Sequence, residues 1–107
     1  ELQKNAAPTA DLLRAVGNEH RLKILCFLGD GESSVGDLEP LVGLRQSALS
    51  QHLGVLREYG LVKTRRSAQT IIYSLADDDV VKIIGALKAI CMTKFALNNN
   101  DEEKGNL

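Results

Sequence analysis

The chain has 107 residues, 44% hydrophobic and 4% aromatic, with no Trp and a formal net charge of −1. That length suits one domain, and a domain this small buries only about two thirds of its unfolded surface, so a second copy of the chain would help it. No stretch reaches the ~18 apolar residues of a membrane-spanning helix, no charged-then-apolar leader opens the chain, and the near-neutral charge argues against a nonspecific coat for nucleic acid. A cytoplasmic protein that does not engage a membrane is expected. The chain begins at Glu1 without Met, which leaves a trimmed N-terminus open.

Residues 1–7 read as a flexible lead-in. Pro8 suits the first turn of a helix, which should run to about Val16 with Leu12, Leu13 and Val16 as its apolar side. Gly17-Asn18 breaks it. Glu19–Leu28 reads as a second helix, with Leu22, Leu25 and Cys26 sharing a face. After a Gly29-Asp30-Gly31 loop, Ser34 can cap a short third helix, Val35–Val42, with Asp37 in a capping-box-like position. Pro40 inside it predicts a kink or an early end. Gly43-Leu44 then turns the chain.

Arg45–Gly60, RQSALSQHLGVLREYG, is the stretch around which the rest is organised. At about 100° per residue, Leu49, Leu53 and Leu56 form one narrow stripe, and Ser47, Gln51, Gly54 and Glu58 fall opposite. Gln46, Ser50 and Arg57 flank one edge; Ala48, His52 and Tyr59 flank the other. Gly60 stands where a helix needs a left-handed residue to end. One face anchors to a core while the other offers amides and hydroxyls. Such a helix suits the major groove, where Gln makes two bonds to an adenine edge and Ser donates or accepts; an ordinary surface helix would also carry Ser and Gln. Arg45 falls at the N-cap, where it can accept no bond and opposes the helix dipole. Either it reaches for a phosphate or it points to water.

Residues 61–66 read as a strand, Ser67-Ala68-Gln69 as a turn, and residues 70–75 as a second strand. A helix followed by a basic hairpin is the winged helix-turn-helix arrangement, in which the helix reads bases and the hairpin lies along phosphates. The charge follows it: residues 43–67 hold five basic residues (Arg45, Arg57, Lys63, Arg65, Arg66) and one acid (Glu58), a net +4, leaving −5 on the rest of the chain. That asymmetry favours one oriented docking mode. Asp77, Asp78 and Asp79 open a last helix, as acids at a helix N-terminus should. Val80, Ile84, Leu87 and Cys91 repeat along it, with Val81, Ile83, Ile90 and Phe95 widening the apolar zone beyond what one small protomer covers. We therefore expect a two-fold homodimer through the first and last helices, using Leu12, Leu13, Val80, Ile84, Leu87 and Phe95. Residues 98–107 are polar and read as a disordered tail. The expected fold is mainly α with a small β-hairpin, a winged-helix domain over residues 8–97 in the order four helices, two strands, one helix.

The order of helices, the string SALSQHLGVLREYGLV and the wing RRSAQTIIYSL resemble the ArsR/SmtB family of winged-helix repressors over about residues 8–97. The resemblance implies a homodimer on double-stranded operator DNA with dyad symmetry, released by an inducer, and no enzyme. It implies Gln46, Ser47, Ser50, Gln51 and His52 near bases and Arg65, Arg66 and Gln69 on the wing near backbone or minor groove; Arg45 and Arg57 join them as basic residues of the reading helix. Arg45 departs from the family's usual Ser, Thr or Asp. For His52, a phosphate or base contact and a histidine bonded to backbone are both compatible with its place on a flank.

Many such proteins sense metal ions, which requires several thiol, imidazole or carboxylate ligands at fitting spacings. Two Cys and two His on separate elements, no CxC on the third helix and no His on the last do not supply that set; no metal site and no cofactor are expected. Cys26 and Cys91 read first as small buried hydrophobes. The resemblance to the sulfide- and persulfide-responsive BigR/SqrR/HlyU branch, which carries one Cys on each of these two helices, implies a thiol switch: an oxidant or reactive sulfur species joins Cys26 and Cys91 by a disulfide or polysulfide bridge and DNA is released. In a reducing cytosol such a bridge is a signal rather than a staple. Alternatives are a metal-responsive repressor, a redox-linked anti-repressor that competes with another DNA-binding protein, a winged helix used only for protein contacts, and a small thiol oxidoreductase, for which the C-x-x-C motif is missing.

Overall fold

The computed structural model describes residues 1–95. Helix α1 (Leu2–Val16) leads to α2 (Glu19–Gly29), a two-residue strand β1 (Ser33–Ser34), α3 (Val35–Val42), α4 (Gln46–Glu58), the hairpin β2 (Val62–Ser67) and β3 (Thr70–Leu75), and α5 (Asp78–Ile90), which passes into a single wide π-type turn at Cys91–Phe95. Helix α1 starts at Leu2 and not at Pro8: residues 2–7 are helical where the sequence predicted a lead-in. The predicted tail, residues 98–107, and the last two residues of the predicted domain lie outside the described residues.

Local chemistry places most of these ends. Asn18 Oδ1 accepts from the amides of His20 (3.0 Å) and Arg21 (3.1 Å), Ser34 Oγ from Asp37 (3.1 Å), and Asp77 Oδ1 from Val80 (2.9 Å), each satisfying donors the helix cannot. Helix α3 continues through Pro40 to Val42, the bounds expected from the sequence and without the early end, and stops at Gly43, whose φ of 79° is left-handed. Pro40 removes one intrahelical bond, while Leu38 and Val42, buried on either side of it, hold both turns to the core. Helix α4 ends as its glycine predicts: Gly60 takes φ 72°, its amide donates to the Arg57 carbonyl (3.0 Å) and that of Leu61 to Leu56 (2.9 Å). This is the paired bonding of a Schellman end, with the two leucines buried beside it.

The sheet is antiparallel with strand order β1-β3-β2. Ser33 lies opposite Tyr73 and Ser34 opposite Ile72; across the hairpin Arg65 lies opposite Ile72 and Ser67 opposite Thr70, so Ala68 and Gln69 form a two-residue loop in which Ala68 takes φ 55°. The third strand is an addition to the predicted hairpin; two serines carry no alternation from which to read it.

Leu49, Leu53 and Leu56 of α4 are fully buried with Ile24 and Leu25 of α2, Leu38 of α3, Leu61 and Ile84 of α5. One residue set needs correcting. Val80 (6% exposed) and Ile84 (1%) were expected at a dimer interface; both belong to the protomer's own core, and Leu12 and Leu87 pack partly against it. Of the six, Leu13 and Phe95 remain exposed, joined by Val81, Ile83, Ile90 and Met92. The stripe Val80, Ile84, Leu87 lies on the side of α5 packed into the core, with α2 among its neighbours, and Cys91, just past the end of α5, is exposed where that contact ends. Among the described residues no helix is long and apolar enough to cross a membrane.

Candidate nucleic-acid interface and thiol pocket

Helix α4 is pinned by its leucine stripe and shows its opposite face to solvent. Gln46, Ser47, Ser50, Gln51, Gly54 and Arg57 are all exposed. Arg45 sits at the N-cap with no side-chain cap bond, as expected from its chemistry. The fold brings Gln46 and Ser50 of α4 and Gln69 of the wing tip onto one groove of about 500 Å³, which Ser34 and Tyr73 also line. Arg66 is exposed on β2.

Two predicted residues are engaged within the protomer. Arg65 is clasped by Glu32, Nε donating to Oε2 at 3.1 Å and Nη2 to Oε1 at 2.5 Å. The pair holds the Glu32 carboxyl below, and the Arg65 guanidinium above, their ordinary values, chiefly through these bonds. Glu32 carries no sequence signal for this role; it becomes Arg65's neighbour only because β1 joins β3. His52 is half-buried with its ring 5.6 Å from that of His20. Arg21 Nη1 lies 3.5 Å from His52 Nδ1. A guanidinium only donates, so Nδ1 accepts and the neutral ring carries its proton on Nε2. Burial first, then the charges of Arg21 and His20, hold the His52 pKa below its usual value. Arg21 Nε also donates to the Ala15 carbonyl (2.5 Å) and Nη2 to that of Arg14 (3.3 Å), so one side chain ties the end of α1 to α2 and α4. The break at Gly17-Asn18 and the start of α2 at Glu19 were legible; the Asn18 cap and this clamp were not. His20 Nδ1 is buried with no partner among the described residues.

A second site lies at the other end of α2. Cys26, half-buried, and Cys91, exposed, are both free thiols, and both line one cavity of about 200 Å³ with Leu22, Lys23, Phe27, Asp30, Lys88 and Met92. They are 65 positions apart in sequence. Burial pushes the Cys26 thiol pKa up; Cys91 and Asp30 push it the same way, and Lys88 opposes them. Lys88 Nζ is ion-paired with Asp30 across the rim. No group of three or more His, Cys, Asp or Glu side chains able to hold a metal ion is found among the described residues.

The family model described as bacterial regulatory protein, arsR family, matches residues 18–64, the span from the cap of α2 into β2. The transcriptional activator HlyU of Vibrio cholerae is 52% identical over 87 residues, 81% of this chain and 81% of that protein. The chain belongs to the ArsR family of bacterial transcriptional regulators. This ArsR-family chain is also 48% identical to the biofilm growth-associated repressor of Agrobacterium fabrum, over 83% of its own length and 76% of the relative's. Reduced HlyU from Vibrio cholerae N16961 superposes with a TM-score of 0.78 at 49% identity, covering 83% of this chain and 94% of that one. A homodimeric winged helix-turn-helix DNA-binding domain from Mycobacterium bovis superposes with a TM-score of 0.77 at 26% identity, over 87% and 86% of the two chains. The winged-helix expectation is thereby met in architecture and in family.

Proposed function

We propose that this ArsR-family regulator is a cytoplasmic homodimer that represses transcription by binding double-stranded DNA of dyad symmetry, and that oxidative joining of Cys26 to Cys91 releases it. The observation that carries the switch is the convergence of the two thiols on one pocket between α2 and the end of α5. Exposed Cys91 is the first nucleophile, because burial keeps the Cys26 thiol protonated. A hydropersulfide RSSH transfers sulfane sulfur to the Cys91 thiolate, giving Cys91–S–SH and RSH after protonation. The Cys26 sulfur then attacks the inner sulfur, forming the disulfide and expelling H₂S; a second persulfidation before closure yields the trisulfide instead. The bridge ties α2 to α5 and re-spaces the two reading helices. A hundredfold loss of DNA affinity corresponds to about 2.7 kcal/mol of coupling.

The base-facing set is Gln46, Ser47, Ser50 and Gln51, with Arg45, Arg57, Arg66 and Gln69 toward the backbone. His52, held by Arg21, acts as a positioning residue that orients α4, and Arg65 reaches DNA only after leaving Glu32. Dimerisation uses the exposed Leu13, Ile83, Ile90 and Phe95, in keeping with the homodimeric neighbour from Mycobacterium bovis. Because one relative is named an activator and another a repressor, the second reading of output is an anti-repressor that displaces another DNA-binding protein. The test is duplex binding by the reduced chain with and without a persulfide donor. Wild type should lose affinity and yield a mass linking the peptides of Cys26 and Cys91. If Cys26→Ser and Cys91→Ser variants respond as wild type does, the switch is wrong.

A further inference from the structure

Two thiols need only each other to form a bridge; an adjoining cavity of about 200 Å³ is more than that reaction requires. Leu22, Phe27 and Met92 line it together with Lys23, Asp30 and Lys88, and Cys26 and Cys91 both line it too. The charges at its rim are already paired. Lys88 is bound to Asp30, and Lys23 lies 3.6 Å from Glu19. Water inside such a space finds few partners, and an apolar cavity of about 150 Å³ suffices to hold benzene. By that scale this pocket accepts about eight non-hydrogen atoms, neutral and apolar, and offers a charged peptide-sized ligand neither room nor an unpaired cation.

We propose that the pocket binds a neutral, apolar polysulfane, R–S–S–S–R with R a short alkyl or alkenyl group, in preference to charged sulfur donors of the glutathione type. The inference rests on the thiol-switch reading above and names the class of oxidant that site takes. The Cys91 thiolate attacks an outer sulfur of the bound trisulfide, so a sulfur–sulfur bond breaks, Cys91–S–S–R forms, and the leaving RSS⁻ takes up a proton as RSSH. The Cys26 thiol, held protonated until then, gives up its proton and attacks the Cys91 sulfur, forming Cys26–S–S–Cys91 and releasing RSH. The dithiol loses two electrons and the trisulfide gains them. The wide turn at Cys91–Phe95 breaks the regular pitch of α5 where this chemistry occurs, as such turns often do at functional sites, and leaves Met92 65% exposed at the mouth.

The test uses the full reduced chain with dimethyl trisulfide and, separately, the trisulfide of glutathione. Formation of the Cys26–Cys91 bridge is followed by mass spectrometry, and each rate is divided by that donor's rate with free cysteine. The expected result is a normalised rate at least tenfold higher for dimethyl trisulfide, saturating with its concentration. Diethyl sulfide, which has no sulfur–sulfur bond to react, should shift the methyl resonances of Leu22 and Met92 saturably, in the wild type and in the Cys26→Ser/Cys91→Ser chain. Equal normalised rates for the two donors, or no shift with diethyl sulfide, overturn the inference while leaving the switch standing. No bridge from either donor overturns both together.

Discussion

Replacing Glu32 with Gln tests whether the wing arginine is held in reserve. In the free protein both Nε and Nη2 of Arg65 are spent on Glu32, the same two N–H groups a phosphate would take bidentately. Glu32→Gln removes the competing carboxylate and a negative charge beside the wing. Each phosphate neutralised steepens the dependence of log K on log salt by about 0.9, so one arginine freed per protomer should steepen the slope of a dimer by about 1.8. The variant's advantage should therefore shrink roughly twelvefold between 50 and 200 mM salt. Fluorescence anisotropy on a random 30-base-pair duplex suffices, because nonspecific binding is carried by phosphates. Arg65→Ala and the double variant Glu32→Gln/Arg65→Ala should share one salt slope, and Asp79→Asn, which removes an exposed acid elsewhere, should leave the slope unchanged. A Glu32→Gln slope equal to wild type, or a full gain surviving in the double variant, refutes the reasoning.

Three further outcomes are expected. Leu53→Ala, which empties a fully buried position under α4, should lower stability by about 2–5 kcal/mol in urea unfolding, with proportionate loss of DNA binding. Asp30→Asn removes an acid that raises the Cys26 pKa and frees Lys88, which lowers it; alkylation of Cys26 at pH 7.5 should accelerate, whereas Lys88→Gln should slow it. Because the folded His52 has a pKa below its ordinary 6.5, the unfolded chain binds its proton first. The contribution is present above about pH 6.5 and is lost as pH falls through that value toward the folded pKa. His52→Gln should flatten that part of the stability profile measured by thermal melts.

Helix α4 was legible residue by residue, because the 3.6-residue period of Leu49, Leu53 and Leu56 and the terminal Gly60 are local physics. The same holds for the cap at Ser34, for the acidic start of the last helix at Asp77–Asp79 and for the hairpin, whose alternation and turn lie within about fifteen residues. The period along α5 also picked out the buried stripe, yet it could not say whether Val80 and Ile84 meet another copy or α2 of their own chain. Apolar spacing names a face and not its partner; only packing assigned them to the protomer core. Tertiary structure alone made Glu32 the neighbour of Arg65, through a two-serine strand with no periodic signature. It alone turned His52 toward Arg21, a contact spanning 31 positions, and set Cys26 and Cys91 on one pocket across 65. Contacts between distant residues depend on how whole elements dock, and a linear pattern records which residues seek burial but not which of them will meet.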